Sequence, residues 1–177
     1  MALIKSCRNK YPLIPTSCWL AENATVVGDV SMGENCSIWF NAVVRGDVNS
    51  ISFGNNVNIQ DGAVIHCTYE KTKTILGNNV SVGHNALVHG CLVHDNVLIG
   101  MGAIVMDNCV IEENCIIAAG AVLLEGTHVE SGSIYAGIPA KKVKNLSPEL
   151  FKGEVMRIAN NYRMYASWFE EQDLPNS

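Results

Sequence analysis

Charged side chains make up only 16% of this 177-residue chain and aromatic ones only 7%. The scarcity of charge, beside 48% hydrophobic residues, excludes extended disorder, because there is apolar surface enough to build a core. Basic residues are also short, 12 against 17 acidic, so the chain has no cationic footprint for nucleic acid or an anionic membrane surface. No apolar run approaches the roughly 20 residues of a membrane span. Neither nucleic acid nor membrane is therefore an expected partner. The start, Met1-Ala2-Leu3-Ile4-Lys5-Ser6, lacks the long apolar stretch and small-residue cleavage site of a secretory signal. Seven cysteines, an odd number without regular spacing, argue against a disulfide framework and for a reducing, cytoplasmic setting. The length suits one domain, 1–177, with little room for a second. What is plentiful is glycine, at fifteen residues, which implies a chain that turns often.

The turning is periodic. From Leu76 onward large aliphatic residues recur every six positions, through Val82, Val88, Val93, Ile99, Val105, Ile111, Ile117, Leu123 and Val129, with one step of five after Val88. Small side chains sit four places after many of them, at Ala86, Ala103, Cys109, Cys115, Ala121 and Thr127. The same register runs back through Val27, Met32, Ile38, Val44, Phe53, Ile59 and Ile65, with small partners at Cys36, Ala42 and Ala63. The longer steps from Val44 to Phe53 and from Ile65 to Leu76 are expected to be surface insertions. A helix repeats at about 3.6 residues and a strand at 2, so a period of six needs short strands joined by turns. Each hexapeptide then supplies one inward anchor and one small residue at a bend, and successive coils stack about 4.8 Å apart.

This pattern, over about residues 14–140, resembles the hexapeptide-repeat family, which implies a mainly β fold: a left-handed parallel β-helix of triangular coils, three hexapeptides to a coil. Cys36, Cys109 and Cys115 then read as small core residues, not ligands. The segment Gly137-Ile138-Pro139-Ala140-Lys141 resembles the exit of such solenoids, which acyltransferases and other members share. Beyond it, Ser147-Pro148-Glu149 is a helix start, with Ser as cap, Pro in the first turn and Glu at the positive end. Leu150, Phe151, Val155, Ile158, Ala159, Tyr162, Ala166 and Phe169 trace an apolar face, so a C-terminal helix is expected over about 147–171, interrupted near Gly153 and laid along the solenoid or a neighbouring subunit.

With three hexapeptides to a coil, Arg45, His66 and His89 each follow a first-wall anchor by one residue and share one corner in successive coils. Two imidazoles one rung apart can converge on a metal. His84 follows Val82 on another wall and cannot easily reach the same point within one chain. In a three-fold assembly of parallel solenoids, His66 and His89 of one copy would meet His84 of the next. His94 and His128 read as surface residues, and alternation turns Cys67 away from the histidine beside it.

Arg45-Gly46-Asp47, Asn58-Ile59-Gln60-Asp61-Gly62, His66 and His84-Asn85-Ala86-Leu87-Val88-His89-Gly90 together resemble the gamma-class carbonic anhydrase family. The resemblance implies a homotrimer in which His66, His84 and His89 bind zinc, or iron or another divalent metal, at the subunit interfaces. It implies reversible hydration of CO2 to bicarbonate, a lyase reaction, with Gln60 bonding the water at the metal. It further implies that Arg45 and Asp47 pair across the interface, with Asn58 and Asp61 as supporting residues. Tyr162 resembles a tyrosine that relatives place near the site, with Tyr165 as the alternative. The chain departs from the active members' pattern in the stretch after His66. That insertion, Cys67-Thr68-Tyr69-Glu70-Lys71-Thr72-Lys73-Thr74, is short with one carboxylate, and Val48 follows Asp47 where active members can have Glu. The departure bears on the rate of CO2 hydration, not on metal binding.

Three other readings stay open at this stage. A CoA-dependent acyltransferase shares the solenoid and its exit, but leaves Arg45, Gln60 and the pairing of His84 with His89 unexplained. Thioester hydrolysis would use the same metal. A trimeric scaffold would keep the metal for stability alone.

Overall fold

A computed structural model describes residues 1–170. Their core is a left-handed solenoid of three parallel walls. One wall stacks Trp19–Leu20, Ser37–Ile38, Asn58–Ile59, Ser81–Val82, Val97–Ile99, Cys115–Ile117 and Ser133–Gly137 as seven parallel rungs. We call this the third wall. The first contains Val64–His66, Leu87–His89, Ile104–Val105 and Val122–Leu123, and the second Thr74–Leu76, Leu92–Val93, Val110–Ile111 and His128–Val129. Two long strands, Thr25–Ser31 and Val43–Phe53, round the corner between them and merge both walls into one 11-stranded sheet. The step from Val44 to Phe53, expected as a surface insertion, carries its extra residues within one long strand, where the register shifts between Gly46, paired with Gly28, and Ile51, paired with Val30.

The hexapeptide anchors are the core. Ile38, Ile59, Val82, Ile99, Ile117, Val44, Ile65, Val88, Val105 and Leu123 are all fully buried, with Ala42, Ala63, Ala103 and Ala121 beside them. The register corrects one anchor: Val26 pairs with Val44 and is buried, whereas the expected Val27 pairs with Arg45 and is half-buried. Adjacent valines carry equal hydrophobicity, and only strand alternation decides which one points inward. Cys36, Cys109 and Cys115 are buried as expected, and all seven cysteines are free. No helix of the described residues is long and apolar enough to cross a membrane.

Corners are made largely by asparagine and glycine in the left-handed region, which accounts for much of the composition. Asn35, Asn56, Asn79, Asn96 and Asn114 all have φ between 54° and 59°. Four of them bond amide to amide up the edge: Asn56 donates to Asn79 (2.9 Å), Asn79 to Asn96 (2.9 Å) and Asn96 to Asn114 (3.1 Å).

Two strands lie outside the hexapeptide reading. Leu3–Lys5 pairs in parallel with Thr25–Ser31, and Ala140–Asn145 turns back antiparallel on Ser133–Gly137 to cap the last coil. The helix begins as expected: Ser147 accepts from the Leu150 N–H, Pro148 stands in the first turn, and the segment around Gly153 is a π-helical stretch, Phe151–Met156. It continues as Arg157–Glu170, and the expected end at Glu171 lies outside the described residues. Val155, Ala159 and Ala166 are buried. Tyr162 meets Trp39 edge to face (5.0 Å between centroids), and Phe169 packs on Trp19 and Phe40, which fastens the helix to the third wall.

Asn79→Ala should lower stability by about 2–3 kcal/mol, from two amide bonds at about 1 kcal/mol each and an unfavourable left-handed alanine. Asn79→Gly should recover the conformational part, so thermal unfolding should rank wild type above Gly above Ala. Equal melting temperatures for all three would remove the ladder as a stabilising element.

Candidate metal centre

The first cluster forms where the first wall turns into the second. His66 and His89 are register partners on neighbouring rungs, with ring centroids 5.1 Å apart. His66 Nδ1 faces His89 Nε2 at 3.1 Å. The outer nitrogen of each ring meets a carboxylate: His66 Nε2 lies 3.0 Å from Asp47 Oδ1, and His89 Nδ1 lies 2.7 Å from Asp107 Oδ1. Arg45 closes the group by donating to Asp47 Oδ2 at 2.5 Å, so this ion pair lies within one chain.

Electrostatics fixes the proton positions. Burial raises Asp47, but the hydrogen bonds from His66 and Arg45 and the Arg45 charge outweigh it, and its carboxyl lies below the usual range. Asp107 is likewise below it, since bonds from Thr68 and His89 outweigh its burial. Ionised carboxylates only accept, so His66 Nε2 and His89 Nδ1 carry the ring protons. Burial holds His66 below the ordinary imidazole value despite the bond to Asp47, with the Arg45 charge reinforcing the effect. With the outer nitrogens donating, the inner ones, His66 Nδ1 and His89 Nε2, face each other at 3.1 Å, an arrangement that needs a cation or a proton between them. Adjacent nitrogens of a tetrahedral zinc site, with bonds of about 2.0–2.1 Å, stand about 3.3 Å apart. The donor set fits a divalent metal.

The second cluster stands at the other end of the first wall, before Leu87–His89. His84 Nδ1 lies 2.9 Å from Asp61 Oδ2, and the Tyr162 hydroxyl lies 3.2 Å from His84 Nε2. Burial, with the Asp61 charge adding, pushes Tyr162 up to about 12, so the phenol keeps the proton it donates to His84. Gln60 is buried and donates to Asn58 Oδ1 (3.0 Å), and Asn58 donates to Ser81 Oγ (2.7 Å). Gln60, His84 and Tyr162 are among the residues lining a cleft of about 420 Å³ between the helix and the third wall. Tyr165 lines the same cleft, but its hydroxyl takes a bond from Asn161.

The residues singled out from the sequence thus fall into two groups. Arg45, Asp47, His66 and His89 share one corner; Asn58, Gln60, Asp61, His84 and Tyr162 share the other. Among the described residues no three His, Cys, Asp or Glu side chains of one chain gather as a metal-binding group. His94 and His128 lie exposed around Glu112, as expected. Cys67 is fully buried and its thiol is pushed up by burial, so it is a core residue and no ligand. Sequence reasoning missed Asp107. The register held a signal for it: Asp107 stands two places after Val105, the anchor paired with Val88, and so one rung along from the residue following His89.

The family described as bacterial transferase hexapeptide (six repeats) matches residues 90–125. A protein of Methanocaldococcus jannaschii named "Probable carbonic anhydrase" is 49% identical over 151 residues, covering 85% of this chain and 92% of that one. A carbonic anhydrase of Geobacillus kaustophilus is 44% identical over 160 residues, covering 90% and 87%. Two mitochondrial gamma carbonic anhydrases of Arabidopsis thaliana match at 38% and 40% identity, and this chain spans only 61% and 53% of their lengths. Among solved structures, a hexapeptide transferase family protein from Anaplasma phagocytophilum superposes with a TM-score of 0.89 at 36% identity, covering 94% of this chain and 98% of that one.

The raised phenol of Tyr162 can be read by ultraviolet difference titration of wild type against Tyr162→Phe. Because burial disfavours the phenolate, the difference signal should stay flat through pH 10 and rise with a midpoint at about 12. A midpoint near 10 would contradict the buried, donating hydroxyl.

Proposed function

This chain belongs to the gamma carbonic anhydrase family, and on that premise we propose that it is a metal-dependent carbonate dehydratase working at the interfaces of a homotrimer. The observation that carries the reading is the division of three carboxylate-clamped histidines between two ends of one wall. Each half lacks what the other has. A head-to-tail contact joins the His66–His89 corner of one copy to the His84 corner of the next, and three such contacts close a ring.

The face between the corners supports this assembly. Val43, Val64, Leu87, Ile104 and Val122 stack in register on the outside of the first wall, an aliphatic ladder beside the histidines, and Ile104 is 37% exposed. With Met106 and Leu124 exposed alongside it, this is the kind of apolar surface that association removes from water.

His66, His84 and His89 would hold the metal, zinc or another divalent ion, through the nitrogens opposite their carboxylates, and at His84 Nε2 the ion would take the place of the Tyr162 hydroxyl. When bound, such an ion supplies a Lewis acid that makes hydroxide available near neutral pH. Gln60, held through its amide nitrogen by Asn58, can accept through its carbonyl oxygen and so orient the attacking oxygen toward CO2. Packing on Trp39 would keep the Tyr162 hydroxyl beside the centre once His84 Nε2 turns to the metal. The apolar cleft, with Leu98, Ile116 and Met101 in its lining, admits a small unhydrated gas better than ions. Arg45 and Asp47 orient His66. Glu70, the one carboxylate in the short insertion, is exposed, so slow proton export and modest turnover are expected. Seven free thiols suit a reducing compartment such as the cytoplasm.

A CoA-dependent acyltransferase shares this solenoid, yet a single catalytic base would leave the paired lone pairs of His66 and His89 without a purpose. The short insertion favours, as a second reading, a trimer that keeps its metal without efficient hydration.

Co-expression of His84→Ala chains with His66→Ala chains tests the shared site. Either variant alone should lose metal and at least 100-fold of stopped-flow CO2 hydration, while each mixed trimer should regain one intact site. Absence of recovery in verified mixed trimers would rule out the intersubunit centre; metal regained without hydration, even with iron(II) loaded anaerobically, would favour the second reading.

A further inference from the structure

The insertion after His66 is too poor in carboxylates to serve as a proton route, yet three of its threonines are tied into the histidine corner. Thr68 Oγ donates to Asp107 Oδ2 at 2.5 Å. Thr72 Oγ lies 3.2 Å from Asp107 Oδ1 and accepts the Thr68 N–H at 2.9 Å. Thr74 Oγ donates to the His66 carbonyl (2.6 Å) and accepts the Gly90 N–H (2.9 Å). Thr72 and Thr74 are buried, which is unusual for threonine unless its hydroxyl is bonded. The segment therefore wraps back over the next coil and presents hydroxyls to one carboxylate.

Gly90 shows how tightly that carboxylate is cradled. It follows His89 with φ of +58°, and a Cβ there would collide with Asp107 Oδ1 and Thr72 Oγ. Only a residue without a side chain leaves the opening through which Asp107 reaches His89 Nδ1.

From this geometry we propose that the segment 67–74 is a positioning device: Thr68 and Thr72 hold Asp107, and Asp107 fixes His89 as the Nδ1–H tautomer with its Nε2 lone pair aimed at His66. Asp107 is a positioning residue and acts through His89. An acceptor-only carboxylate, itself saturated by hydroxyl donors, leaves the ring one choice of which nitrogen to protonate. The role given to the lone pair rests on the metal-centre reading; the tautomer itself is a property of the metal-free chain.

The test uses the full chain, metal-free and 15N-labelled, with the His89 tautomer read from long-range 1H–15N correlations at neutral pH, and zinc affinity then measured by chelator competition. Wild type should show Nδ1–H at His89. Asp107→Ala should lose that state and bind zinc about 10–100-fold more weakly. Thr68→Val, which leaves the carboxylate in place, should show a mixed tautomer and a smaller loss. Circular dichroism and thermal unfolding establish that each variant is folded, and if Asp107→Ala does not fold, Thr68→Val carries the decision. An unchanged tautomer in the folded variants, or zinc affinity in folded Asp107→Ala within twofold of wild type, overturns the proposal. Should wild type bind no zinc at all, the metal-centre reading falls, and the tautomer measurement alone decides whether the clamp exists.

Discussion

Parallel stacking of coils at one fixed spacing of about 4.8 Å is the constraint from which the remaining features follow. A side chain repeated at the same place in successive coils must lie against its own counterpart. Inside, this produces columns of fully buried aliphatics that need no large aromatic to fill them. At a corner it produces the asparagine ladder, where each amide finds the next. On the outside it puts His89 over His66 without any dedicated loop. A metal-type pair of imidazoles is thus a by-product of register, once two histidines occupy equivalent positions.

Register alone orders positions, not protons. Three aspartates supply that second level, one for each histidine: Asp47 for His66, Asp107 for His89 and Asp61 for His84. Each accepts from one ring nitrogen; the opposite nitrogens of His66 and His89 face each other, and that of His84 faces the Tyr162 hydroxyl. The cost of leaving two such nitrogens face to face is what sets this corner apart from an ordinary polar surface. Between the two histidine corners runs a wall of outward aliphatics, so the apolar surface and both histidine groups lie on one face.

Much of the fold was legible from the period of six, because the period reports directly which residues face inward. The departures have local causes. Val26 and Val27 are indistinguishable by hydropathy, and pairing with the next strand separates them. The stretch from Val44 to Phe53 reads as an insertion by length; its extra residues are taken up as a register shift inside one long strand, between Gly46, paired with Gly28, and Ile51, paired with Val30. Ala140–Asn145 carries three lysines and no hexapeptide pattern; its strand form comes from pairing with the last rung. Among the candidate site residues, His66, His84 and His89 were visible from their places in the repeat, and Gln60 and Tyr162 from the family resemblance. The threonines that hold Asp107 were not, since an insertion has no register and its route is set by what it packs against.

The sequence by itself determined the solenoid, the walls on which each histidine lies and the helix that follows, because these depend on short-range periodicity and capping. Tertiary structure alone decided which carboxylate each histidine meets, how Tyr162 reaches His84 and which hydroxyls bond Asp107. Those depend on which oxygen comes within hydrogen-bond reach of which nitrogen, and such distances are fixed only when segments far apart in sequence are brought together, Asp47 with His66 on neighbouring coils and Tyr162 of the helix with His84.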